Sequence, residues 1–330
     1  MRTSVTLRRT LRDDRSTVGD VIAPLLARRT VLLGGLGLAA AGCAVPPGPD
    51  GLDEPTPTPE RAATTTAAPP SAGAPAASPE LALEQRFGGR LGVFAMDTGS
   101  GATLGHRADE RFLMCSTSKM LAAVAVLALR LDRPGLLDRT ISYPRDALLP
   151  NSPETQKHGA LTVAELCLAA ITLSDNTAMN LLLDVLGGPD RLTGFLRRSG
   201  DAVSRQDRTE TDLNLLDGEK DTSTPAQMAA NLRSFALDDG LDPEGRAILV
   251  DWLRANTTGA TRIKAGLPPD WVVGDKTGAG AQGEINDVAV VWPPGRAPLV
   301  ISVFTAPADP TSDGSPETVA EAARIVARTL

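Results

Sequence analysis

The sequence predicts an α+β fold: an antiparallel sheet formed by both termini of the main domain, with flanking helices, and an all-helical lobe beside it. Short apolar runs of strand length lie near the two ends of residues 81–330, and the segments between them have helical patterns. Sheets and helices must each bury an apolar face, so we expect two lobes packed against each other. We expect the functional site in the cleft between them.

The first predicted elements are a β-hairpin and a central helix. Two apolar runs, residues 90–97 and 101–106, flank a Thr-Gly-Ser turn, which predicts a hairpin. Residues 120–131 are apolar on nearly every side, which is typical of a helix buried in a core. Thr162 and Glu165 have the spacing of a capping box, so a further helix should begin there.

The last predicted elements return to the sheet. Residues 271–274, 287–292 and 299–305 are rich in β-branched side chains and have the length of strands. The chain then ends in a helix that Ser315 caps and Pro316 begins. These strands and the N-terminal hairpin should form one sheet.

The first 43 residues have the features of an export signal. Residues 1–42 hold seven arginines and three aspartates, and the apolar run at 31–41 is too short to span a bilayer. Arg28 and Arg29 stand directly before that run, as in twin-arginine signals. We predict export by the Sec or the twin-arginine route, with a buried helix as the alternative.

Cys43 follows Ala-Ala-Gly, which resembles the lipobox of bacterial lipoproteins, where the cysteine is lipidated and becomes the mature N-terminus. Residues 44–80 contain ten of the 26 prolines and predict a disordered spacer. The domain at 81–330 would then be held at the outer face of the cell membrane. A plain secreted form is the alternative.

Composition excludes several functions. The net charge is -7, and no basic run is interleaved with aromatic residues, so nucleic-acid binding is not expected. With three cysteines and no C-x-x-C or H-E-x-x-H spacing, we expect no metal site. The esterase motif G-x-S-x-G and the P-loop motif are also missing from the sequence.

Ser116 and Lys119 form a candidate nucleophile pair at the start of the most apolar helix. Their i, i+3 spacing places the hydroxyl and the amine on one helical face. A lysine desolvated there can accept the serine proton, which activates the serine without a histidine. The alternative is a helix cap followed by a surface lysine.

Two later tripeptides, Ser174-Asp175-Asn176 and Lys276-Thr277-Gly278, carry little information individually because each could be a simple turn. In the order Ser-x-x-Lys, Ser-Asp-Asn, Lys-Thr-Gly, however, the three motifs are typical of class A β-lactamases and penicillin-binding proteins.

The chain resembles class A serine β-lactamases over residues 85–330. The resemblance is carried by residues 111–119, 162–167, 174–178, 208–214, 221–225, 271–278 and 286–287. It implies hydrolysis of the β-lactam amide bond through a serine acyl-enzyme, and hence antibiotic resistance. It also implies a monomer that needs no cofactor and meets the membrane only through Cys43.

The resemblance implies a role for each motif residue in acylation. Ser116 would attack the lactam carbonyl, with its own backbone N–H and that of Ala279 forming the oxyanion hole. Ser174 would relay a proton to the leaving nitrogen. Lys276 and Thr277 would hold the substrate carboxylate.

The same resemblance assigns Asn176 to the acylamino side chain of the substrate, and Glu210 with Asn214 to the water that releases the product. Whether Lys119 or Glu210 is the base for acylation stays open. The alternative for Glu210 is a surface carboxylate.

The chain also departs from the family pattern. The stretch from Glu210 to Asp221 is about two residues shorter than usual, although Arg208 should still pair with Asp221. Ile285 stands where many members carry a carboxylate-binding arginine. Arg262 occupies a position that supplies this guanidinium in other members; a solvent-facing arginine is the alternative.

Further departures concern single positions near the motifs. Gly280 replaces a cysteine that pairs with Cys115 in some carbapenem-hydrolysing relatives, so no disulfide is expected there. Asn151 stands where an aromatic residue often lies at the mouth of the cleft. His106 and His158 are expected to be core or loop residues, because a lysine fills the catalytic role.

Two other functions remain as alternatives. A penicillin-binding transpeptidase or DD-peptidase shares the three motifs but lacks a glutamate that activates water, so it would react with β-lactams and stay acylated. A non-catalytic, lipid-anchored binding protein could keep the fold without the chemistry. Glu210 distinguishes the hydrolase from the transpeptidase, and the intact catalytic motifs weigh against the binding protein.

Overall fold

The computed structural model describes residues 78–330. The predicted export signal, Cys43 and nearly all of the predicted spacer lie outside the described residues. The helices are α1 (Pro79–Phe87), α2 (Ser118–Leu129), α3 (Val163–Thr172), α4 (Asn176–Leu186), α5 (Pro189–Arg198), α6 (Pro225–Ala236), α7 (Pro243–Arg254), α8 (Ile263–Gly266) and α9 (Pro316–Thr329). The strands are β1 (Gly89–Asp97), β2 (Thr103–His106), β3 (Phe112–Leu113), β4 (Thr140–Ser142), β5 (Ala160–Thr162), β6 (Thr222–Ser223), β7 (Val272–Ala279), β8 (Ile285–Trp292) and β9 (Leu299–Pro307).

The main sheet has five strands in the order β2-β1-β9-β8-β7, and all neighbouring strands are antiparallel. β1 pairs with β9 along its whole length, with Gly89 opposite Pro307 and Asp97 opposite Leu299. The α+β prediction, with a sheet formed by both termini of the domain, is therefore confirmed. Two short ribbons, β3 with β6 and β4 with β5, lie outside this sheet.

The sheet is covered on both faces, which explains why its strands are apolar runs. On β8, Val288 and Val290 pack into a core shared with α2 and α6, whereas Ala289 and Val291 pack into a second core with α9. Residues 120–127 of α2 are each at most 2% exposed, so the predicted central helix is confirmed. Within residues 78–330, no helix combines the length and apolar character needed to cross a membrane.

The predicted helix caps are present. The Thr162 hydroxyl accepts the Glu165 N–H at 3.2 Å, and the Glu165 carboxylate accepts the Thr162 N–H at 2.7 Å. These reciprocal bonds satisfy two N–H groups at the start of α3. Ser315 likewise caps α9, and Pro316 is its first residue.

Several boundaries differ from the predictions by about two residues; for example, α2 ends at Leu129 rather than at residue 131, and β8 begins at Ile285 rather than at residue 287. Two other differences have a clear physical cause. Pro79 and Glu80, which the sequence places in the spacer, form the first turn of α1, because the Ser78 hydroxyl caps the helix. The strand predicted to end at Gly274 continues through the Lys-Thr-Gly motif to Ala279, because its backbone stays paired with β8. The small residues of that motif gave no apolar signal for a strand.

Candidate active site

A cavity of about 310 Å³ opens between β7 and the helical lobe. Seven of the side chains predicted for the site line it: Ser116, Ser174, Asn176, Asn214, Arg262, Thr277 and Ala279. The other three, Lys119, Glu210 and Lys276, are buried behind them. A larger cavity of about 790 Å³, between α1 and α9, is lined by none of the motif residues. The predicted site residues therefore come together in one cleft.

Ser116 lies in the 3₁₀ turn Cys115–Thr117, which leads into α2. Cys115, with φ at 50°, has a left-handed backbone conformation that is strained for any residue other than glycine. β7 passes so close to this turn that a Cβ on Gly278 would lie 3.2 Å from the Cβ of Cys115. Glycine at 278 thus lets the strand that ends at Ala279 approach the serine.

Lys119 is fully buried on α2, and its ammonium contacts four other site residues. Its Nζ donates to Ser116 Oγ at 2.7 Å and to Asn176 Oδ1 at 2.7 Å. It also donates to the Ser174 carbonyl oxygen at 3.1 Å and lies 2.6 Å from Glu210 Oε1. Burial lowers the pKa of Lys119, while the nearby Glu210 carboxylate acts in the opposite direction. Lys119 is therefore not a surface lysine.

Glu210 is held by neighbours on both its side chain and its backbone. Asn214 Nδ2 donates to Glu210 Oε2 at 2.6 Å. Asn180 on α4 accepts the Glu210 N–H at 2.8 Å and donates to the Glu210 carbonyl oxygen at 3.0 Å. The predicted pair of Arg208 with Asp221 closes the segment, with Nε 2.6 Å from Oδ2. Glu210 is thus a buried carboxylate even though its loop is short.

Lys276 is the second fully buried lysine of the site. Its Nζ donates to Ser174 Oγ at 3.1 Å and to the Thr277 carbonyl oxygen at 2.8 Å. Burial holds the pKa of Lys276 well below its usual value, and the cations Lys119 and Arg262 lower it further. An anion bound in the cavity would relieve this repulsion, so the site is suited to a substrate that carries a carboxylate.

Arg262 reaches the cleft from the residue before α8. Its Nη1 donates to the carbonyl oxygens of Gly278 and Asn286, at 2.5 Å and 2.6 Å. These two bonds fix the guanidinium beside the end of β7, where it lines the cavity next to Thr277. The alternative of a solvent-facing arginine therefore does not hold.

The remaining predictions concern the cysteines and histidines. Cys115 is a free, buried thiol, and burial raises its pKa. A Cβ on Gly280 would lie 3.0 Å from Cys115 Sγ, so the two positions are adjacent, as the resemblance implied. His106 and His158 pair with glutamates, and neither bonds to a motif side chain within the described residues. No group of three or more His, Cys, Asp or Glu within 78–330 is placed to hold a metal.

Two residues of the site were missed in the sequence. Asn180 follows Asn176 by four residues on α4, so one helical face carries both, and that spacing could have identified it. Thr258 Oγ1 lies 2.5 Å from Thr277 Oγ1, and no local pattern around it indicates this contact.

A buried Ser–Lys pair, a second serine bonded to a second lysine, and a Glu–Asn pair within the same network define a serine enzyme that transfers an acyl group to water. Comparison with known proteins agrees. The model of the beta-lactamase enzyme family matches residues 78–330. Beta-lactamase AST-1 from Nocardia asteroides is 52% identical over 259 residues, covering 77% of this chain and 84% of that protein.

Two further relatives support the same assignment. The carbapenem-hydrolyzing beta-lactamase KPC from Klebsiella oxytoca is 49% identical over 254 residues, covering 76% of this chain and 87% of that protein. A solved class A beta-lactamase from Mycobacterium abscessus superposes with a TM-score of 0.75 at 55% identity, covering 76% of this chain and 97% of that one. The chain belongs to the beta-lactamase enzyme family, and it is a serine β-lactamase of class A.

Proposed function

We propose that this β-lactamase hydrolyses penicillin- and cephalosporin-type antibiotics through an acyl-enzyme on Ser116, and that it thereby confers resistance. The observation that carries the proposal is the pair formed by the buried Glu210 carboxylate and the Asn214 amide. It lies in one network with the nucleophile, because Lys119 contacts both Ser116 Oγ at 2.7 Å and Glu210 Oε1 at 2.6 Å. A carboxylate there can activate the water that releases the acyl group.

In acylation, Lys119 and Glu210 act together on the Ser116 proton. Lys119 passes a proton to Glu210, which the desolvation of Lys119 favours, and its neutral amine then accepts the proton on Ser116 Oγ. The serine oxygen then bonds to the lactam carbonyl carbon, while the backbone N–H groups of Ser116 and Ala279 stabilise the oxyanion. Ser174 gives its proton to the lactam nitrogen as the C–N bond breaks and takes one from Lys119, whose Nζ lies 3.4 Å from Ser174 Oγ. Glu210 then returns its proton to Lys119 and is ionised again for deacylation.

Substrate binding follows from the cations of the cleft. Lys276 and Thr277 hold the substrate carboxylate, and Arg262 adds positive charge at the end of β7. Asn176, whose Nδ2 donates to the Pro150 carbonyl oxygen at 2.9 Å, is oriented to meet the acylamino side chain. A hydrogen bond between the fixed Asn176 amide and the acylamino side chain of the substrate orients the lactam carbonyl toward Ser116.

Deacylation separates this function from that of a penicillin-binding transpeptidase. Glu210 removes a proton from a water that Asn214 orients, and the resulting hydroxide attacks the acyl carbon. The ester bond breaks, and the Ser116 oxygen takes back a proton from Glu210 through Lys119. The bond from the Asn214 amide to Glu210 Oε2, at 2.6 Å, supports a shared role of these two side chains in holding the water.

The test is pre-steady-state kinetics with a chromogenic cephalosporin on the parent and on Ser116→Ala. We expect sustained turnover by the parent and no covalent adduct by mass spectrometry on the variant. One equivalent of product followed by a stable acyl-enzyme would instead indicate the transpeptidase. No reaction at all in the parent would indicate the non-catalytic binding protein.

We also propose that the protein is exported and anchored outside the membrane by lipid on Cys43. The support is the basic and apolar start of the chain, the small residues before Cys43 and the proline-rich spacer after it. In a detergent partition of cells of its own host, we expect the parent in the detergent phase and Cys43→Ser in the aqueous phase. The same aqueous distribution for both would contradict the anchor.

A further inference from the structure

Glu284 is a buried carboxylate that the proposed chemistry does not use. It lies in the turn between β7 and β8, and it is only 5% exposed. Its Oε2 accepts the Gln282 N–H at 2.9 Å, and no ion pair among residues 78–330 includes it. Burying a carboxylate without a counter-ion is unfavourable.

The Glu284 carboxylate fills the space between its own turn and the nucleophile segment. A Cβ on Gly280 would lie 2.2 Å from Glu284 Oε2 and 3.0 Å from Cys115 Sγ. The Gly280 N–H also donates to the Glu284 carbonyl oxygen at 2.9 Å. Both the side chain and the backbone of Glu284 therefore hold the turn closed beside Cys115, which directly precedes Ser116.

The same turn is bonded to the loop that carries the deacylating residues. The Ala281 N–H donates to the Asn214 carbonyl oxygen at 3.1 Å. Asn214 in turn donates through Nδ2 to Glu210 Oε2 at 2.6 Å. The turn also begins directly after Ala279, which ends β7. A shift of this turn would therefore move Asn214 relative to Glu210.

We propose that Glu284 is a positioning residue for deacylation. Its carboxylate accepts the Gln282 N–H and fills the space over Gly280, and this fixes the turn between β7 and β8. The Ala281 N–H of the same turn holds the Asn214 backbone. This rests on the proposed role of Glu210 and Asn214, and it adds a residue that acts on the water site without touching substrate. The required property is the shape and the acceptor oxygen of the side chain, because its hydrogen-bond partner among residues 78–330 is a neutral N–H.

The test compares Glu284→Ala and Glu284→Gln with the parent, and uses Glu317→Ala, on the exposed face of α9, as the matched control. Stopped-flow measurements give acylation and deacylation rate constants separately. For Glu284→Ala we expect slower deacylation by up to about 100-fold, since a displacement of about 1 Å can cost that much, and a smaller loss in acylation, because the turn also adjoins Ala279 of the oxyanion hole. Glutamine keeps the acceptor and the volume, so Glu284→Gln should restore the parent rate.

Equal losses in both rate constants, parent-like deacylation in Glu284→Ala, or no rescue by glutamine would each overturn the proposal. If Glu284→Ala does not fold, Ala281→Pro tests the same link by removing the N–H that bonds Asn214; parent-like deacylation in that variant would overturn the proposal as well. Failure of the proposed function is recognised separately, because Glu210→Ala would then deacylate at the parent rate.

Discussion

Replacing Glu210 with alanine should separate the two halves of the reaction. In the variant, Lys119 keeps its contact with Ser116 Oγ at 2.7 Å and its bond to Asn176 Oδ1 at 2.7 Å. Without the Glu210 carboxylate, which opposes the effect of burial, the pKa of Lys119 falls further, so the neutral amine becomes more populated. Ser116 therefore retains a proton acceptor, and acylation should persist.

Deacylation, in contrast, loses its general base in this variant. Among the described residues that line the cavity there is no other carboxylate that could take the place of Glu210. Loss of a general base typically slows a step by about 10² to 10⁴. At about 1.4 kcal/mol for each factor of ten, the deacylation barrier rises by about 3 to 5 kcal/mol. We thus expect the acyl-enzyme to accumulate.

The assay is stopped-flow acylation with a chromogenic cephalosporin, followed by intact-protein mass spectrometry of the acylated species over time. Glu219→Ala is the matched control, because Glu219 belongs to the same loop and its side chain is 64% exposed. The control should behave as the parent. Deacylation of Glu210→Ala at the parent rate would refute the reasoning, since another group would then be activating the water.

Two further predictions concern pH. The pKa of Lys276 lies well below its usual value, so kcat/KM should begin to fall at a lower pH than the pKa of an ordinary lysine. In Lys276→Arg, this alkaline fall in kcat/KM should move to higher pH. An unchanged pH–rate profile in the variant would contradict the prediction. The pKa of Glu84 is lowered to about 2, chiefly by the bond from Arg107. The lowered pKa of Glu84 contributes at most about 3 kcal/mol to the free energy of unfolding; this contribution is present above pH 4.5 and is lost as the pH falls towards 2. In urea unfolding, Glu84→Gln should therefore have a lower free energy of unfolding than the parent at pH 7, but nearly the same value near pH 2. An equal difference between the two proteins at both pH values would argue against the prediction.

Much of the site could be predicted because its residues occur in short motifs. Ser116 and Lys119 lie within one helical turn, so their spacing placed both side chains on one helical face, and the two later motifs made their contact, which measures 2.7 Å, the expected arrangement. The pair of Arg208 and Asp221 was predictable only from the resemblance, since the two residues are thirteen positions apart with no periodic pattern between them.

What could not be predicted depends on tertiary contacts. Asn180 touches the Glu210 backbone only because α4 passes the loop, and Thr258 meets Thr277 only through the packing of the segment before β7. Glu284 would be placed on the surface by residue type, because glutamate is rarely buried without a partner. Only the close approach of Gly280 to Cys115 reveals that its carboxylate is enclosed.

The charges of the site also favour release of product. A bound substrate presents one carboxylate, which Lys276 meets, whereas hydrolysis creates a second carboxylate at the former lactam carbon, next to Ser116 and facing Glu210. Two carboxylates at close range disfavour each other's ionised form, so the group that activates the water should also weaken product binding. Calorimetric titration with hydrolysed penicillin at pH 7 should therefore show tighter binding to Glu210→Gln than to the parent. Equal affinities would mean that product release does not depend on the charge of Glu210.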